Sequence, residues 1–397
     1  MMLPNGWKKV KLGDVVKMSS GGTPSKDNAS FWNGDIPWIS ALEMHKNFVE
    51  VAKLNITEDA LKKGSSLAKK NDLLLLTRGS MLWKRIPVCL CLRDVAFNQD
   101  VKCLHANEKL NSTFLLYWFG CMESKIMHMV VGTGIGAGKL ESSGILDLDV
   151  NLPPLEEQKK IAATLSVWDS AIEKMEKLID AKESLLTEYG KELFGRTEQK
   201  QNENWSTIAL SDVLNEHGDK STGKEEVFSV SVHKGLVNQI EHLGRSFAAK
   251  DTSNYNRVHY GDIVYTKSPT GDFPLGIVKQ SLIKEDVIVS PLYGVFTPKT
   301  FELGAILDFY FSSPINANNY LHPVAQKGAK NTINITNKKF LSAKLRLPID
   351  IKEQKKIAQF VQTTKKEMAV LQEILENYKK QKQGLMQKLL TGQWRVK

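Results

Sequence analysis

Two stretches of this sequence carry the same helix-forming pattern, which constrains the fold more than any other feature. LPPLEEQKKIA at 152–162 and LPIDIKEQKKIA at 347–358 share the run EQKKIA, 196 residues apart. Downstream of each, apolar residues recur every three or four positions over some 40 residues, the spacing of one face of an α-helix. Helices of that length rise about 60 Å, at 1.5 Å per residue. The sequence therefore predicts two long helices whose apolar stripes must be buried.

The two predicted helices differ in net charge, which favours pairing them with each other. Between 155 and 195, nine acidic residues stand against six lysines, a net charge of −3; between 350 and 391, five stand against nine, a net charge of +4. Because a long stretch of chain separates the helices, the simplest pairing is antiparallel. We therefore predict an antiparallel two-helix coiled coil. Its predicted core positions are Ile161, Leu165, Trp168, Ile172, Ile179, Leu186, Leu193, Ile357, Val361, Met368, Leu371, Leu375, Tyr378, Leu385 and Leu389.

A register follows from this pairing. If Ile161 lies opposite Leu389, Lys382 falls opposite Trp168, where an ammonium over the indole face would offset part of the cost of burying a lysine. The alternative for Lys382 is a side chain that extends to water. The alternative for the stripes is that each packs on its own neighbouring domain.

The globular parts of the chain are repeated as well. WKKVKLGDVV from residue 7 recurs as WSTIALSDVL from residue 205, and DLLLLTR from residue 72 recurs, one residue shorter, as DIVYTK from residue 262. Short strand-like runs alternate with helical stretches such as 113–122, so each copy is predicted to be an α+β domain. The predicted divisions are a globular domain at 1–154, a long helix at 155–198, a second globular domain at 199–349 and a second long helix at 350–397.

Charge and composition narrow the class of partner. Lys and Arg outnumber Asp and Glu by 54 to 44, and only +1 of the resulting +10 lies on the two helices, so the globular parts are basic and a polyanionic partner is favoured. No apolar run approaches a membrane span of about 20 residues, so the chain is expected to be cytoplasmic. The four cysteines form no CxxC pair. We expect buried thiols and no metal site.

Signatures of catalysis fail when they are tested against the residues. A phosphate loop at 132–140 would need Gly at 133 and Ser or Thr at 140, where Thr133 and Leu140 stand. The GxGxxG pattern fails in the same stretch. No HExxH, no GxSxG and no methyltransferase Asn/Asp-Pro-Pro-aromatic turn is present. No catalytic residue is predicted.

Candidate contacts to a polyanionic partner are chosen where both copies agree on a hydrogen-bond donor. A cation ends each buried strand and small residues follow it, so it can reach a phosphate or a guanine edge. Two loops that mix glycine with lysine precede the long helices and suit close approach to a backbone. The alternatives are solvated strand ends and simple connecting loops. The candidates are Arg78, Ser80, Thr133, Lys139, Lys267, Ser268, Lys330 and Asn331.

Several motifs together resemble one family, the DNA-specificity subunit of type I restriction-modification systems. They are the opening WxxxxLGD, SSGGTPSK from residue 19, WNGDIPWIS from residue 32, the two EQKKIA helix starts and the closing LLTGQWRV at 389–396. The first helix departs from the closing motif, because it ends LLTEYGKELFG. The likeness covers nearly the whole chain.

The resemblance implies two target-recognition domains that each read one part of a split, asymmetric site in double-stranded DNA, with the coiled coil setting their spacing. It also implies a chain without catalytic activity or cofactor of its own. Two methyltransferase subunits would bring S-adenosylmethionine, and restriction subunits, which translocate DNA, would bring ATP and Mg²⁺. The competing hypothesis from the residues is a two-headed coiled-coil adaptor that joins proteins, whose binding would depend weakly on salt.

Overall fold

The structure, a computed structural model, describes residues 3–134, 136–195, 203–240, 251–327 and 333–396. The chain forms two compact units. The first unit comprises Met1–Glu176 and Glu373–Lys397, and the second comprises Lys177–Gln372. Across the described ranges, no helix has the length and apolar character to cross a membrane.

The first unit combines short strands with three helices of its own. The helices are α1 (Glu58–Gly64), α2 (Ser112–Met127) and α3 (Ser142–Leu146), and the long helix α4 (Leu155–Phe194) begins here. The strands are β1 (Lys8–Lys11), β2 (Val16–Ser20), β3 (Trp32–Ile39), β4 (Phe48–Val49), β5 (Asn55–Ile56), β6 (Ser66–Ala68), β7 (Leu73–Leu76), β8 (Arg78–Gly79), β9 (Val88–Cys91), β10 (Val95–Phe97), β11 (Val101–Ala106), β12 (Val131–Gly132), β13 (Gly138–Lys139) and β14 (Asp149–Leu152).

The first unit contains several sheets, and α2 lies in its main core. A five-stranded sheet has the order β2-β11-β7-β9-β4, and a four-stranded sheet has the order β5-β3-β10-β6. Strands β12-β13-β8 form a small ribbon, and β1 pairs with β14 at the start of α4. The apolar side of α2 and the all-leucine strand β7 share one buried core. This agrees with the continuous apolar run of β7, which is typical of a strand covered on both faces.

The second unit has the same kinds of element. Its helices are α5 (Phe301–Phe311), α6 (Pro314–Leu321) and α7 (Asn337–Ser342), and the long helix α8 (Ile351–Leu390) begins here. Its strands are β15 (Trp205–Ala209), β16 (Leu214–Glu216), β17 (Phe228–Ser231), β18 (Gly235–Asn238), β19 (Asn256–Val258), β20 (Ile263–Tyr265), β21 (Val278–Gln280), β22 (Val287–Val289), β23 (Gly294–Pro298), β24 (Gln326–Lys327), β25 (Ile333–Asn334) and β26 (Lys344–Pro348).

The two units repeat one strand order, as the duplicated sequence predicts. The main sheet of the second unit is β16-β23-β20-β21, which matches β2-β11-β7-β9 of the first. The pair β15-β26 matches β1-β14, and the pair β19-β22 matches β6-β10. The predicted α+β class of both globular parts is confirmed.

A buried glutamine explains one position of the repeated EQKKIA run. The side-chain amide of Gln158 donates to the carbonyls of Pro153 and Lys109 at 2.9 Å, and its oxygen accepts from the N–H of Asn111, the residue that caps α2. In the second unit, Gln354 donates to the carbonyl of Pro348 at 3.0 Å and accepts from the hydroxyl of Thr300, which caps α5. Each glutamine therefore ties a long helix to the first turn of the helix beside it.

Both long helices run 40 residues, the length that the stripes predict. In the first unit, the early part of α4 pairs with the late part of α8: Trp168 meets Tyr378 edge to face at 5.6 Å between ring centroids, and Glu176 pairs with Lys379 at 3.0 Å. In the second unit, Lys182 pairs with Glu367 at 2.6 Å. These contacts run antiparallel, which confirms the predicted coiled coil.

The predicted core positions of the coil are all buried or half-buried, and they serve two kinds of packing. Ile161, Leu165 and Leu389 belong to the core of the first unit, whereas Leu186 and Ile357 belong to that of the second. The other fully buried positions are Ile179, Val361 and Leu375; the half-buried ones are Trp168, Ile172, Leu193, Met368, Leu371, Tyr378 and Leu385. The two alternatives posed by the sequence are thus both realised, because the stripes pack on the globular cores at their ends and on each other between them.

Lys382 differs from its prediction. Its ammonium pairs with Asp169, one residue beyond Trp168, and lies 5.2 Å from the centroid of the Tyr117 ring. The Tyr117 hydroxyl donates to the same carboxylate at 2.6 Å. A carboxylate compensates a half-buried ammonium better than a ring face does. The register is therefore close to the predicted one, but the partner is an acid rather than the indole.

The last residues of the chain fold onto the first unit. The Arg395 guanidinium bonds to both oxygens of Glu157, at 3.0 and 2.7 Å, and the Trp7 indole N–H donates to the same carboxylate at 3.1 Å. The arginine holds the pKa of Glu157 below its ordinary value. Leu389 and Leu390, at the end of α8, complete the core of this unit.

Candidate nucleic-acid interface

In the first unit, a three-stranded ribbon brings together four residues that the sequence singled out. Strand β13 pairs with β8, which places Lys139 opposite Arg78, and it also pairs with β12, which leads into Thr133. Ser80 follows β8 directly and is exposed, as is Arg78. The carbonyl of Thr77, the last residue before Arg78, accepts from the N–H of Leu140 and fixes the ribbon to buried strand β7. The Arg78 side chain therefore extends from a strand end that is held in place by the ribbon.

Gly138 allows the ribbon to lie this close to the rest of the unit. A Cβ at this position would approach the Cβ of Leu82 to 2.9 Å and a methyl group of Val130 to 2.8 Å. Such contacts are far inside ordinary van der Waals separation. In the stretch that resembles a phosphate loop in sequence, Gly138 is therefore required for packing.

The tip of the ribbon is a tight turn covered by an indole. Both the N–H and the hydroxyl of Thr133 donate to the Ala137 carbonyl, at 2.8 and 2.9 Å. Trp83 donates its indole N–H to the Gly136 carbonyl at 3.0 Å and is 48% exposed. The hydroxyl hydrogen of Thr133 thus holds the turn, and its oxygen keeps lone pairs that can accept a hydrogen bond. Trp83 was missed in the sequence because a single tryptophan outside a repeat carries no positional signal.

The other basic residues beside the ribbon have different tasks. The Lys139 ammonium pairs with Glu141 at 2.6 Å, while 38% of its side chain remains exposed. Arg85 donates to the carbonyls of Met44 and His45, so its charge holds a loop in place. Arg78 is the exposed cation that the ribbon presents most directly.

In the second unit, the corresponding strand end has another geometry. Lys267 follows β20 and adopts a left-handed backbone conformation, with φ = +56°, which costs a non-glycine residue about 1 kcal/mol. Gly276 passes beside it, and a Cβ there would lie 2.8 Å from the Lys267 nitrogen. The hydroxyl of Thr266 accepts from the Ile277 N–H at 3.0 Å. The second copy is one residue shorter here, and its strand turns at once instead of extending into a ribbon.

Lys267 is half-buried, whereas its neighbour Ser268 is exposed. Burial lowers the pKa of Lys267, and the nearby Glu216 carboxylate opposes that shift. The Ser268 hydroxyl donates to the Thr266 carbonyl at 3.4 Å. The last two candidates, Lys330 and Asn331, lie outside the described residues, between the paired strands β24 and β25.

A buried aspartate stands at the start of each strand that leads to these ends. Asp72 accepts from the backbone N–H of Lys69 at 2.8 Å and contacts the His105 ring at 2.6 Å. Asp262 accepts from the backbone N–H of His259 at 2.7 Å and contacts the His217 ring at 3.0 Å. The repeated aspartate of the DLLLLTR and DIVYTK runs is thus a structural anchor.

A family comparison matches both copies of this arrangement. The family of type I restriction modification DNA specificity domains matches residues 4–183 and again residues 202–379. Together these segments cover most of the chain, each containing one of the strand ends described above. The chain belongs to this family.

Curated relatives carry the same family description. The chain is 31% identical over 166 residues to the type I restriction enzyme EcoR124I/EcoR124II specificity subunit of Escherichia coli, an alignment that covers 41% of each chain. It is 25% identical over 425 residues to the type I restriction enzyme MjaVIII specificity subunit of Methanocaldococcus jannaschii, covering 100% of this chain and 95% of the relative. The chain thus spans about two fifths of the first relative and nearly all of the second.

Among solved structures, the type I restriction-modification S subunit of M. genitalium has the same fold. The two superpose with a TM-score of 0.64 over 98% of each chain, at 16% sequence identity. The family resemblance drawn from the sequence motifs is confirmed.

Proposed function

We propose that this chain is the DNA-specificity subunit of a type I restriction-modification complex. Each globular part would read one portion of a split site in duplex DNA. The observation that carries the proposal is that the two units share one strand order but differ at the strand ends. A common framework with two different contact surfaces is what an asymmetric two-part site requires.

The chemistry of the ribbon supports contact with DNA. Arg78 can bond to a phosphate through one nitrogen or to the O6 and N7 atoms of guanine through two. The exposed indole face of Trp83 lies at the tip of the same ribbon and can pack on a sugar or a thymine methyl group. In the second unit, Lys267 and Ser268 offer a point charge and a hydroxyl, which contact phosphates more readily than they distinguish bases.

We further propose that the chain recognises DNA without catalysing a reaction. Methyltransferase subunits would supply S-adenosylmethionine and the methyl transfer, and restriction subunits would supply ATP, Mg²⁺ and cleavage. The absence of catalytic motifs in the sequence and the basic globular parts support this division of labour.

The lengths of α4 and α8 would set the gap between the two half-sites. Forty residues at 1.5 Å per residue give about 60 Å, which compares with about 34 Å for a turn of duplex. The heptad register of the pair makes the coil a stiff spacer.

Recognition can be tested by mapping methylated adenines in a genome that carries this chain together with its methyltransferase. We expect one split motif. Replacing residues 1–154 with the corresponding part of a relative should change one half of the motif and leave the other half and the gap unchanged. A motif without a gap, or one that changes in both halves, would contradict the proposal.

The spacer can be tested separately by inserting seven residues into each long helix at matched positions. Seven residues make one heptad and keep the apolar stripe in register. An insertion of four residues would rotate the stripe around the helix. The insertion adds about 10 Å, or about 3 base pairs. Both half-sites should be retained and the gap should lengthen. An unchanged gap would show that the coil does not measure DNA.

A further inference from the structure

Two histidines and an aspartate meet at one corner of the second unit. Asp219 Oδ2 lies 2.9 Å from His259 Nε2 and 3.9 Å from His217 Nδ1. His217 and Asp219 follow β16 and His259 follows β19, so two separate stretches of backbone converge here. Within the described residues, the ligand atoms of His217, Asp219 and His259 lie within 4.8 Å of one another and form a group that could bind a metal ion.

Each histidine is held by a second carboxylate on its other nitrogen. Asp262 contacts His217 Nε2 at 3.0 Å, and Asp286 contacts His259 Nδ1 at 2.8 Å. Because a carboxylate accepts only from an N–H, the neutral His217 ring carries its proton on Nε2 and its lone pair on Nδ1. That Nδ1 atom is shielded from solvent and, within the described parts of the chain, has no hydrogen-bond partner. A histidine that binds a metal usually donates the N–H of its other ring nitrogen to a carboxylate in this way.

The distances suit a tetrahedral ion. With bonds of about 2.0–2.1 Å to nitrogen and oxygen, two ligand atoms of a tetrahedral site lie about 3.3 Å apart. The observed separations of 2.9 and 3.9 Å lie on either side of that value. All three ligand atoms lie within 4.8 Å of one another, so small movements of the side chains would bring them to these separations. Asp219 is partly exposed, so water can complete the coordination.

The charge of the corner also favours a divalent cation. Asp219, Asp262, Asp286 and Glu225 bring four negative charges, and the Arg257 guanidinium compensates one of them from 3.8 Å or more. With both imidazoles neutral, the corner has a net charge of −3. A dication would reduce this to −1. Two imidazoles and one carboxylate are ligands that Zn²⁺ accepts readily and that Mg²⁺ and Ca²⁺ do not prefer.

We propose that His217, Asp219 and His259 form a Zn²⁺ site that fastens the end of β16 to the β19-β22 pair. The sequence predicted no metal, because it offered no cysteine pair and the ligands lie 42 residues apart, 259 against 217. Glu216, next to His217, is the carboxylate beside Lys267. Zn²⁺ bound at this site would thus stiffen the backbone at Glu216, next to the candidate contact residue Lys267. This inference concerns the free chain and does not depend on DNA binding.

The first unit supplies its own negative control. Ser19, Gly21 and Lys69 occupy the places of His217, Asp219 and His259. The Lys69 ammonium pairs with Asp94 at 2.8 Å, as His259 does with Asp286, but it has no lone pair to offer a metal. The substitution His259→Lys therefore copies a side chain that the same fold already accommodates.

The test is a titration of the full chain, first stripped of metal with a chelator. Co²⁺ is added as a spectroscopic probe, and Zn²⁺ is measured by competition with a chromogenic chelator. We expect saturation at one ion per chain, the visible absorption of four-coordinate Co²⁺, and its displacement by Zn²⁺. His259→Lys and, independently, Asp219→Asn should weaken Zn²⁺ binding by at least about 100-fold.

Two surface histidines serve as matched controls. His233→Gln and His105→Gln should leave binding unchanged. Zn²⁺ should raise the unfolding temperature of the wild-type chain and of both controls, and leave those of His259→Lys and Asp219→Asn unchanged, with circular dichroism showing that each variant is folded. The absence of a saturable site, or a site that persists unchanged in His259→Lys, would overturn the proposal.

Discussion

Lys69 and His259 occupy the same place in the two units, but they offer different chemistry. Each follows the first strand of an equivalent pair, and each donates its backbone N–H to a buried aspartate. Each side chain also pairs with an aspartate that precedes the partner strand, Asp94 or Asp286. The backbone contacts are thus kept while the side-chain chemistry changes from an ammonium to an imidazole. The framework of the unit does not depend on what this corner binds.

The strand ends of the two units also share a framework and differ in the residues they present. Arg78 continues into a ribbon, whereas Lys267 turns in a left-handed conformation after a strand that is one residue shorter. The buried aspartate at the start and the threonine before each cation are common to both. The residues that repeat are buried and structural. The residues that differ, Arg78 and Lys267, are the candidate contacts at the strand ends.

The largest effect is expected where the first unit requires glycine and the second does not. A Cβ at Gly21 would lie 2.2 Å from the Phe97 carbonyl oxygen and 2.4 Å from that of Asn98. Because both neighbours are backbone atoms, Gly21→Ala should lower the free energy of unfolding by about 3 kcal/mol. Asp219→Ala at the equivalent place should cost less than about 1 kcal/mol in metal-free buffer. Urea unfolding measures both, and equal losses would break the comparison.

The two buried glutamines should behave alike. Gln158 and Gln354 are 0% and 4% exposed, and each leaves buried polar partners unpaired when it is removed. Gln158→Ala and Gln354→Ala should each lower the free energy of unfolding by about 1–3 kcal/mol. The double variant should lose the sum, since the sites share no partner. A large effect at one site only would show that the repeat is not structural at both.

An ion pair in the second unit should show a dependence on pH. Asp308 on α5 pairs with Lys365 on α8 at 2.6 Å and lies 3.7 Å from Lys279. Burial raises the pKa of Asp308, but the attraction of the two lysines outweighs it and holds that pKa below its ordinary value. A carboxyl with a lowered folded pKa stabilises the protein above its unfolded pKa, and this stabilisation is lost as pH falls through the folded value.

Asp308→Asn should therefore cost about 1–2 kcal/mol at pH 7, a modest amount because Lys365 is partly exposed. The difference from the wild-type chain should shrink below about pH 4. Urea unfolding at several pH values checks this. In the first unit an acid of the coil itself, Asp169 on α4, pairs with a lysine, Lys382 on α8. A difference that stays constant down to pH 3 would contradict the assignment.

The smallest effect is expected on DNA affinity. Arg78→Ala should weaken binding to the mapped site by about 10-fold and reduce the dependence on salt by about one phosphate contact. Lys267→Ala should have a smaller effect, since that side chain is half-buried. Arg93→Ala, which removes an exposed cation elsewhere in the first unit, is the control. Equal losses for all three variants would indicate general electrostatic attraction rather than contacts at the strand ends.

Much of this architecture could be read from the sequence because it depends on periodicity. The stripes determine where α4 and α8 lie and how they pair, and the apolar runs determine β7 and β20. The ribbon could not be foreseen, because the pairing of Lys139 with Arg78 depends on how distant strands are ordered. The same holds for His217 and His259, which carry no local motif. For Lys382, the predicted register of the coil identified the region of the partner helix. It could not decide between two adjacent residues there, Trp168 and Asp169.

The position of Leu389 and Leu390 has a consequence for how the protein is made. These residues belong to the core of the first unit, yet a ribosome adds them after the whole of the second unit. While the second unit is being synthesised, the first is complete except for the side of its core that the final helix covers. The first unit therefore waits for residues that are synthesised after the second unit before its apolar interior is closed.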